Sequence, residues 1–320
     1  MISRRHFLAT TAALGAATAI PGLAMAKAPM LGAMPASVHR YKFGSFELTA
    51  IRDGQVTLDN PQQVFGENQT VETVAKLATR YYLPADKHTI TFTPVIVNTG
   101  NELVLFDTGW GSGNPGRGGL AGSLAAAGYT ADQIDVVIVT HCHPDHMGGL
   151  MDGDKPVFPN ARYVVGETEY NFWSNPAQDA GGTKDFYQLT KTKLTPLAAK
   201  TTFVKGEGAA VSGITAIETH GHTPGHMSWR LESDGKQMII GGDFCNHAVL
   251  SMERPQWHVL FDMDKEQAIA TRTRMLDMLA TDKIPFSSYH MPFPAVGFVE
   301  KHMHPQVHYH YEPATYQFTM

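Results

Sequence analysis

The chain has 320 residues, of which 43% are hydrophobic and 17% are charged, so it has the composition of a folded globular protein of one large or two small domains. A net charge of −5 and the lack of any run of basic residues argue against nucleic acid as a partner. No apolar stretch is long enough to form a transmembrane helix in the mature protein.

The N-terminal segment 1–26 is predicted to be a targeting signal. Its stretch 3–8, SRRHFL, resembles a twin-arginine export signal; small apolar residues follow over 9–20, and 24–26, AMA, offers a cleavage site. An uncleaved anchor is the alternative, which the short run and its small residues disfavour. Export of this kind predicts a mature protein that is periplasmic or secreted, with no membrane association.

One domain is predicted over residues 41–320, because no Pro/Ser linker or charge run divides it, and 27–40 is predicted to be an extended segment before it. Alternating apolar residues predict a first strand over 43–53. Helical spacing predicts a helix over 70–82. The surrounding region 59–88 has two interpretations: an excursion over the functional site or onto a second subunit of a homodimer, or a surface helix that packs its own apolar face.

Two strands are predicted next, over 90–97 and 102–106, with a hairpin turn between them. The Gly-rich loop 109–119 lacks the GK[ST] ending of a phosphate-binding loop, so we interpret it as a flexible rim of the site. A helix is predicted over 120–127, ended by Gly128.

The stretch 135–149, DVVIVTHCHPDHMGG, carries the strongest functional signal. Its apolar run 136–139 is short and β-branched, which predicts a strand buried on both faces. Four ligand-type side chains follow within six residues: His141, His143, Asp145 and His146. Such groups are costly to bury without a cation. The pattern therefore predicts two metal ions a few ångströms apart, held by nitrogen and oxygen ligands.

Strands and helices continue to alternate after this stretch. Predicted strands cover 162–165, 201–204, 214–219, 227–231, 237–240 and 284–289, and predicted helices cover 167–173 and 264–280, with a polar loop over 174–185. Three further polar motifs lie at strand ends: 221–226 (GHTPGH), 241–243 (GGD) and 288–290 (SYH).

The HxHxDH pattern and these later motifs, in this order, resemble the metallo-β-lactamase superfamily. The resemblance implies an α/β protein with a four-layer αβ/βα sandwich. It also implies a ligand set for two divalent ions, in which one ion takes His141, His143 and His222, the other takes Asp145, His146 and His290, and Asp243 bridges them. In the same family Asp107, within the motif FDTG, usually braces the histidine loop. We expect His226 to support the site in a similar way.

Such a site has open coordination positions, which is typical of catalysis. A water shared by two cations loses a proton near neutral pH and gives a bridging hydroxide nucleophile. Asp145 is the predicted catalytic residue, which orients that nucleophile and carries a proton to the leaving group. Nitrogen and oxygen ligands suit Zn²⁺ best, with Fe, Mn and Co left open.

Within the superfamily, the chain best resembles exported enzymes of the methyl parathion hydrolase and N-acyl-homoserine lactonase types, over most of residues 40–300. These predict a small-molecule lactone, ester or organophosphate ester as substrate. Many of the lactonases carry a Tyr three residues after the bridging Asp, where this chain has Asn246; the difference favours the phosphotriesterase-like relatives. Trp110, Phe172 and Trp173 are candidates to line the pocket with Asn246, and core packing is the alternative for each aromatic residue.

Several alternatives remain open. A β-lactamase fits the predicted export. A glutathione-thioester hydrolase is disfavoured, because the sequence shows no basic C-terminal helical domain of the kind such enzymes have. An exported metal-binding protein without activity is the non-enzymatic alternative.

Cys142 and Cys245 are predicted to be buried free thiols, with a disulfide as the alternative. The tail histidines are interpreted as surface side chains of a last hairpin or, less favoured, as a third metal site: His302, His304, His308 and His310.

Overall fold

A computed structural model describes residues 28–30, 32, 34–303 and 308–314 of the chain. The chain divides into two units, Met1–Pro35 and Ala36–Met320. The described residues of the first unit are exposed and irregular. The predicted signal peptide and His304 lie outside the described residues.

The described part of the second unit is built from strands and helices that alternate along much of the chain. Its strands are, in chain order, β1 (Val38–Phe43), β2 (Phe46–Ile51), β3 (Gly54–Asp59), β4 (Lys87–Phe92), β5 (Val95–Asn98), β6 (Leu103–Phe106), β7 (Val136–Val139), β8 (Met151–Asp152), β9 (Lys155–Pro156), β10 (Arg162–Gly166), β11 (Thr201–Val204), β12 (Ala209–Val211), β13 (Ile214–Glu218), β14 (Met227–Ser233), β15 (Lys236–Ile240), β16 (Phe286–Ser287), β17 (Val296–His302) and β18 (His308–Pro313). Its α-helices are α1 (Pro61–Val64), α2 (Val71–Arg80), α3 (Leu120–Ala126), α4 (Pro144–Met147), α5 (Glu167–Trp173), α6 (Lys184–Lys193), α7 (Leu250–Glu253) and α8 (Lys265–Asp282).

Two seven-stranded sheets form the centre of this unit. The first has the order β1-β2-β5-β6-β7-β10-β11, and the second has the order β12-β13-β14-β15-β16-β17-β18. Strand β7 lies between β6 and β10 and is parallel to both, as its uninterrupted apolar sequence predicts.

The alternation of side chains along β7 explains how the layers pack. Val136 and Ile138 face the core between the sheets, together with Trp229 of the second sheet. Val137 and Val139 face the opposite way, into a core covered by α3, α5 and α6. Helix α8 covers the outer face of the second sheet. The result is the predicted four-layer αβ/βα sandwich.

The region between β2 and β5 forms a smaller structure of its own. Strands β3 and β4 form a two-stranded sheet, and α2 packs Val74, Leu77 and Ala78 against the same apolar cluster as Phe65. Helix α2 begins at the predicted position. The Thr70 side chain caps its first turn by accepting a hydrogen bond from the N–H of Thr73. Each interpretation of region 59–88 fits one part of the region. Helix α2 buries its own apolar face, whereas Phe65 lines a cavity that is described with the candidate site below.

Several predicted boundaries were wrong. The strand predicted over 43–53 is a hairpin, since Gly44 turns the chain at a φ of 56°, and its first strand starts at Val38, inside the segment expected to be extended. The strand predicted over 90–97 breaks at Pro94, which has no N–H to give to a sheet. Helix α6 begins at the end of the region predicted to be a loop and was missed.

Two remaining expectations concern cysteines and membranes. Cys142 and Cys245 are both buried and unbridged, as predicted. Nowhere in the described ranges does a helix combine the length and the apolar character that a membrane crossing requires.

Candidate metal centre

The predicted ligands converge at the ends of strands from both sheets. The loop after β7 and the short helix α4 supply His141, His143, Asp145 and His146, while His222 follows β13, Asp243 follows β15 and His290 follows β16. The two contributions are in contact: His222 Nε2 lies 3.0 Å from His143 Nδ1, and His290 Nε2 lies 3.0 Å from Asp243 Oδ2. Residues up to 149 positions apart in the chain therefore share one site.

Three overlapping sets of side chains have ligand atoms within 4.8 Å of one another: His141 with His143 and His222, His141 with His146 and Asp243, and Asp145 with His146 and His290. The Asp243 carboxylate lies between the outer two sets. Its Oδ2 is 3.4 Å from His222 Nε2, and its Oδ1 is 3.3 Å from His146 Nε2. This arrangement supports a dinuclear metal site.

The hydrogen bonding of these groups fits bound cations. His141 Nε2, His146 Nε2 and Asp243 Oδ1 are buried, and none has a hydrogen-bond partner among the described residues. Burying polar atoms without hydrogen-bond partners costs free energy. These three atoms belong to the same ligand set, where a bound cation would satisfy them. Imidazole nitrogens and carboxylate oxygens are the donors that divalent zinc and its neighbours prefer.

Asp107, for which the family resemblance implies a bracing role, contacts the histidine loop at two residues. Its Oδ2 lies 2.8 Å from His146 Nδ1, and its Oδ1 accepts the backbone N–H of Thr140 at 2.8 Å. The Thr140 hydroxyl also donates to Asp107 Oδ2. These contacts fix the His146 ring so that its other nitrogen faces the site.

His226 supports the bridging position. Its Nε2 accepts the backbone N–H of Asp243 at 2.8 Å, and its Nδ1 lies 2.8 Å from the Thr219 hydroxyl. The residue is fully buried. It therefore anchors the loop that carries Asp243.

Comparison with known proteins agrees with this geometry. The profile of the Metallo-beta-lactamase superfamily matches residues 93–311. The chain belongs to the metallo-beta-lactamase superfamily. The profile of the twin-arginine translocation pathway signal sequence matches residues 1–21, which supports export across a membrane.

Individual relatives within the superfamily are lactonases and other hydrolases. The chain is 32% identical over 127 residues to the N-acyl homoserine lactonase AttM of Agrobacterium fabrum, a match that covers 38% of this chain and 45% of AttM. The lactonase AidC, a dizinc quorum-quenching enzyme solved with N-hexanoyl-L-homoserine, is 25% identical with a TM-score of 0.80, over 88% of this chain and 98% of AidC. The hydrolase AbOPH is also 25% identical with a TM-score of 0.80, over 89% and 99% of the two chains. The chain spans about half the length of the curated relatives it matches.

In this member of the superfamily, burial and neighbouring charges set the protonation of the ligands. Burial lowers the pKa of His143 to about 3, and burial also holds the pKa of His141 well below its usual value. Burial has the same effect on His146, but the carboxylates of Asp243, Asp145 and Asp107 outweigh it and raise its pKa. The first two imidazoles are therefore neutral near pH 7, the form that binds a metal.

Sequence reasoning missed the residues that orient His222. His222 Nδ1 lies 2.9 Å from Asp262 Oδ1, and Asp262 Oδ2 accepts a 2.5 Å hydrogen bond from Arg272. Burial would raise the pKa of Asp262, but the Arg272 guanidinium and the His222 ring outweigh it and lower the pKa. Asp262 lies in no recognisable motif, so only the packing of α8 reveals the pair.

Glu169 was also missed as an individual residue, although its helix was predicted. Its carboxylate is completely buried and accepts four hydrogen bonds. Oε1 accepts the N–H of Cys142 and the indole N–H of Trp173, and Oε2 accepts the Thr223 hydroxyl and the N–H of Gly225. Glu169 thus joins the two loops that carry His141, His143 and His222. A carboxylate among aromatic residues in a core helix was the available signal.

A cavity of about 450 Å³ opens onto the metal ligands. Three residues predicted for the substrate pocket line it, Trp110, Trp173 and Asn246, and Asn246 also donates a hydrogen bond to Asp243 Oδ2 at 3.1 Å. Phe172, the other predicted pocket residue, is absent from the lining and packs its ring 4.9 Å from that of Trp173. Neighbouring residues of a helix point about 100° apart, which separates the directions of these two side chains.

Proposed function

We propose that the protein is a dinuclear metal-dependent hydrolase that opens lactones and cleaves related carboxylic esters after export to the periplasm or beyond. The observation that carries the proposal is the convergence of seven ligand side chains at the floor of an aromatic cavity. The lactonases among the relatives support the substrate class, and AidC supports zinc as the metal.

The ligand assignment follows the three sets of side chains. One ion would be held by His141, His143 and His222, and the other by Asp145, His146 and His290. Asp243 would contact both, since its Oδ2 lies 3.4 Å from His222 Nε2 of the first set and 3.0 Å from His290 Nε2 of the second. Bound ions would lower the pKa of a coordinated water and polarise the ester carbonyl.

The side chains of the chain would position the substrate and move protons. Asp145 lines the cavity with a carboxylate that is 14% exposed, so it can accept a proton from the attacking water and return it to the leaving oxygen. The Tyr289 hydroxyl donates to the backbone oxygen of Asp145 at 2.6 Å and holds that segment in place. Trp110, Trp173 and Phe186 would enclose the acyl or aryl part of the substrate and exclude water.

Organophosphate ester hydrolysis is the second candidate. Asn246 favours it, because it occupies the position where many acyl-homoserine lactonases carry a tyrosine, and its amide already contacts Asp243. Among the described residues that line the cavity, none is a tyrosine.

The test is a substrate panel on purified protein of known metal content. N-acyl homoserine lactones, aryl esters and paraoxon-type triesters are assayed together, with nitrocefin as the β-lactam comparison. We expect turnover of lactones or aryl esters, lost on chelation and restored by zinc addition. Absence of turnover on the whole panel by metal-replete protein would overturn the proposed activity, and faster turnover of triesters would favour the second candidate.

A further inference from the structure

Arg117 is a half-buried cation on the wall of the functional cavity. Its guanidinium carbon lies 3.9 Å from the centre of the Trp110 ring, and both residues line the cavity beside the metal ligands. No carboxylate lies within ion-pair distance of Arg117 in the part of the chain that the structure describes. A guanidinium stacked on an indole is held in one plane, with hydrogen-bond donors along its edge.

The backbone around Arg117 is fixed by a buried carboxylate. Asp53 accepts the N–H groups of Trp110, Gly118 and Leu120 at 2.9–3.0 Å, and therefore holds both ends of the Gly-rich loop. Gly54 makes the close approach feasible, because a Cβ at that position would lie 2.4 Å from the Arg117 Cα. The loop that was predicted to be a flexible rim is thus anchored where it carries the arginine.

The acidic residues of the cavity are all committed elsewhere. Asp145 and Asp243 belong to the metal-ligand sets, and Asp262 is paired with Arg272 and His222. Most of the remaining lining is apolar, including Phe92, Phe186 and Phe261 at separate points of the wall. No acid of this cavity is left to neutralise Arg117, and a partly desolvated guanidinium binds carboxylates strongly.

We propose that Arg117 binds an anionic group of the substrate, a carboxylate remote from the bond that is cleaved. The preferred substrate is then an anionic ester or lactone. This inference rests on the proposed hydrolase function and narrows its substrate class. The competing role is purely structural, in which the arginine only covers the face of Trp110.

A matched pair of esters separates the two roles. The substrates are 4-acetoxybenzoate and its methyl ester, which differ in the remote charge. We expect Arg117→Gln to lower the ratio of kcat/KM for the anion over kcat/KM for the methyl ester by about 10- to 100-fold, mainly through KM, which is the range for a hydrogen bond to a charged group. Arg117→Lys keeps the charge and should retain part of the ratio.

Arg80 provides the control. Its guanidinium also stacks on an aromatic ring, that of Tyr81 at 5.8 Å, but neither residue lines the cavity. Arg80→Gln should therefore leave the ratio unchanged. An equal fall for both esters in Arg117→Gln, or no fall in either, would overturn the proposal.

Binding separates a failure of this inference from a failure of the hydrolase proposal. Metal-loaded wild type and both Arg117 variants are titrated by calorimetry with p-toluenesulfonate and with methyl p-tolyl sulfone, its neutral analogue. We expect the sulfonate to bind wild type at least about 10-fold more tightly than Arg117→Gln, and to lose affinity with added salt. Equal sulfonate affinity in all variants would refute the anion site even if esters are hydrolysed. A charge-dependent difference would support it even if they are not.

Discussion

The two sheets contribute to the metal centre in different ways. After β7, four ligands lie within six residues of one another, and His146 Nδ1 contacts Asp107, which directly follows the adjacent strand β6. The second sheet supplies His222, Asp243 and His290 one at a time, from the ends of three strands. The first contribution is a local feature of the chain, whereas the second exists only once the sheet has formed.

The bracing contacts differ accordingly. His222 depends on a buried ion pair between the segment after α7 and helix α8, through Asp262 and Arg272. His290 depends on the small two-stranded sheet, since its Nδ1 lies 2.9 Å from the backbone oxygen of Thr91 in β4. Ligands of the second sheet should therefore be the more sensitive to changes elsewhere in the fold.

Removal of a ligand should have the largest effect, and the same effect in both halves. His143→Ala and His290→Ala each leave one set of ligands incomplete, so we expect loss of bound metal and of hydrolysis to background level. Metal per chain is measured by elemental analysis, with His302→Ala on the surface hairpin as control. Full metal content in either ligand variant would contradict the assignment.

Removal of the Asp262 side chain, which contacts His222, should have the next largest effect. Asp262→Ala releases His222 and leaves Arg272 buried without a counter-ion, so the free energy of unfolding should fall by about 3–5 kcal/mol. Metal affinity should fall by about 10- to 100-fold. Chemical denaturation and metal competition measure the two quantities.

An exposed ion pair is the control for this experiment. Lys301→Met breaks the pair between Lys301 and Asp277 on the surface, and we expect a loss below about 1 kcal/mol. If Asp262→Ala were as mild as Lys301→Met, the buried pair would not be the brace of His222.

A change at Glu169, which joins the two loops that carry His141, His143 and His222, should have a smaller effect. Glu169→Gln replaces one acceptor oxygen by an amide that faces donors, so we expect the free energy of unfolding to fall by about 2–3 kcal/mol. Glu167→Gln, two residues earlier in α5 and paired with Lys205 on the surface, is the control and should change little. Equal urea midpoints for the two variants would remove Glu169 from the connecting role.

A buried histidine outside the metal centre gives the smallest effect at neutral pH. Both ring nitrogens of His88 lack partners among the described residues, and burial lowers its pKa to about 4. An unfolded histidine binds a proton near pH 6.5, so the folded state loses stability as pH falls from there towards 4. His88→Phe should remove up to about 3 kcal/mol of this loss at pH 4, and less than about 1 kcal/mol at pH 7. Parallel pH profiles of unfolding for both proteins would refute it.

The sequence alone determined the features that depend on neighbouring residues. The run of Val136–Val139 followed by alternating histidines predicts a buried strand that delivers a metal cluster, because side chains of an extended strand alternate in direction. The N-cap at Asp264 and the helical spacing after Thr70 predict two helices for the same local reason. The family resemblance added His222, Asp243 and His290 to the predicted set of metal ligands.

Tertiary structure decided the features that join distant segments. Asp262 and Arg272 carry no local pattern, and the roles of this pair and of Glu169 arise only where α8 and α5 pack against the sheets. The choice of Trp173 over Phe172 for the cavity depends on the rotation of one helix, and the place of Arg117 depends on Asp53, 64 positions earlier in the chain. Such contacts are fixed by how strands pair and layers pack, which local propensity does not specify.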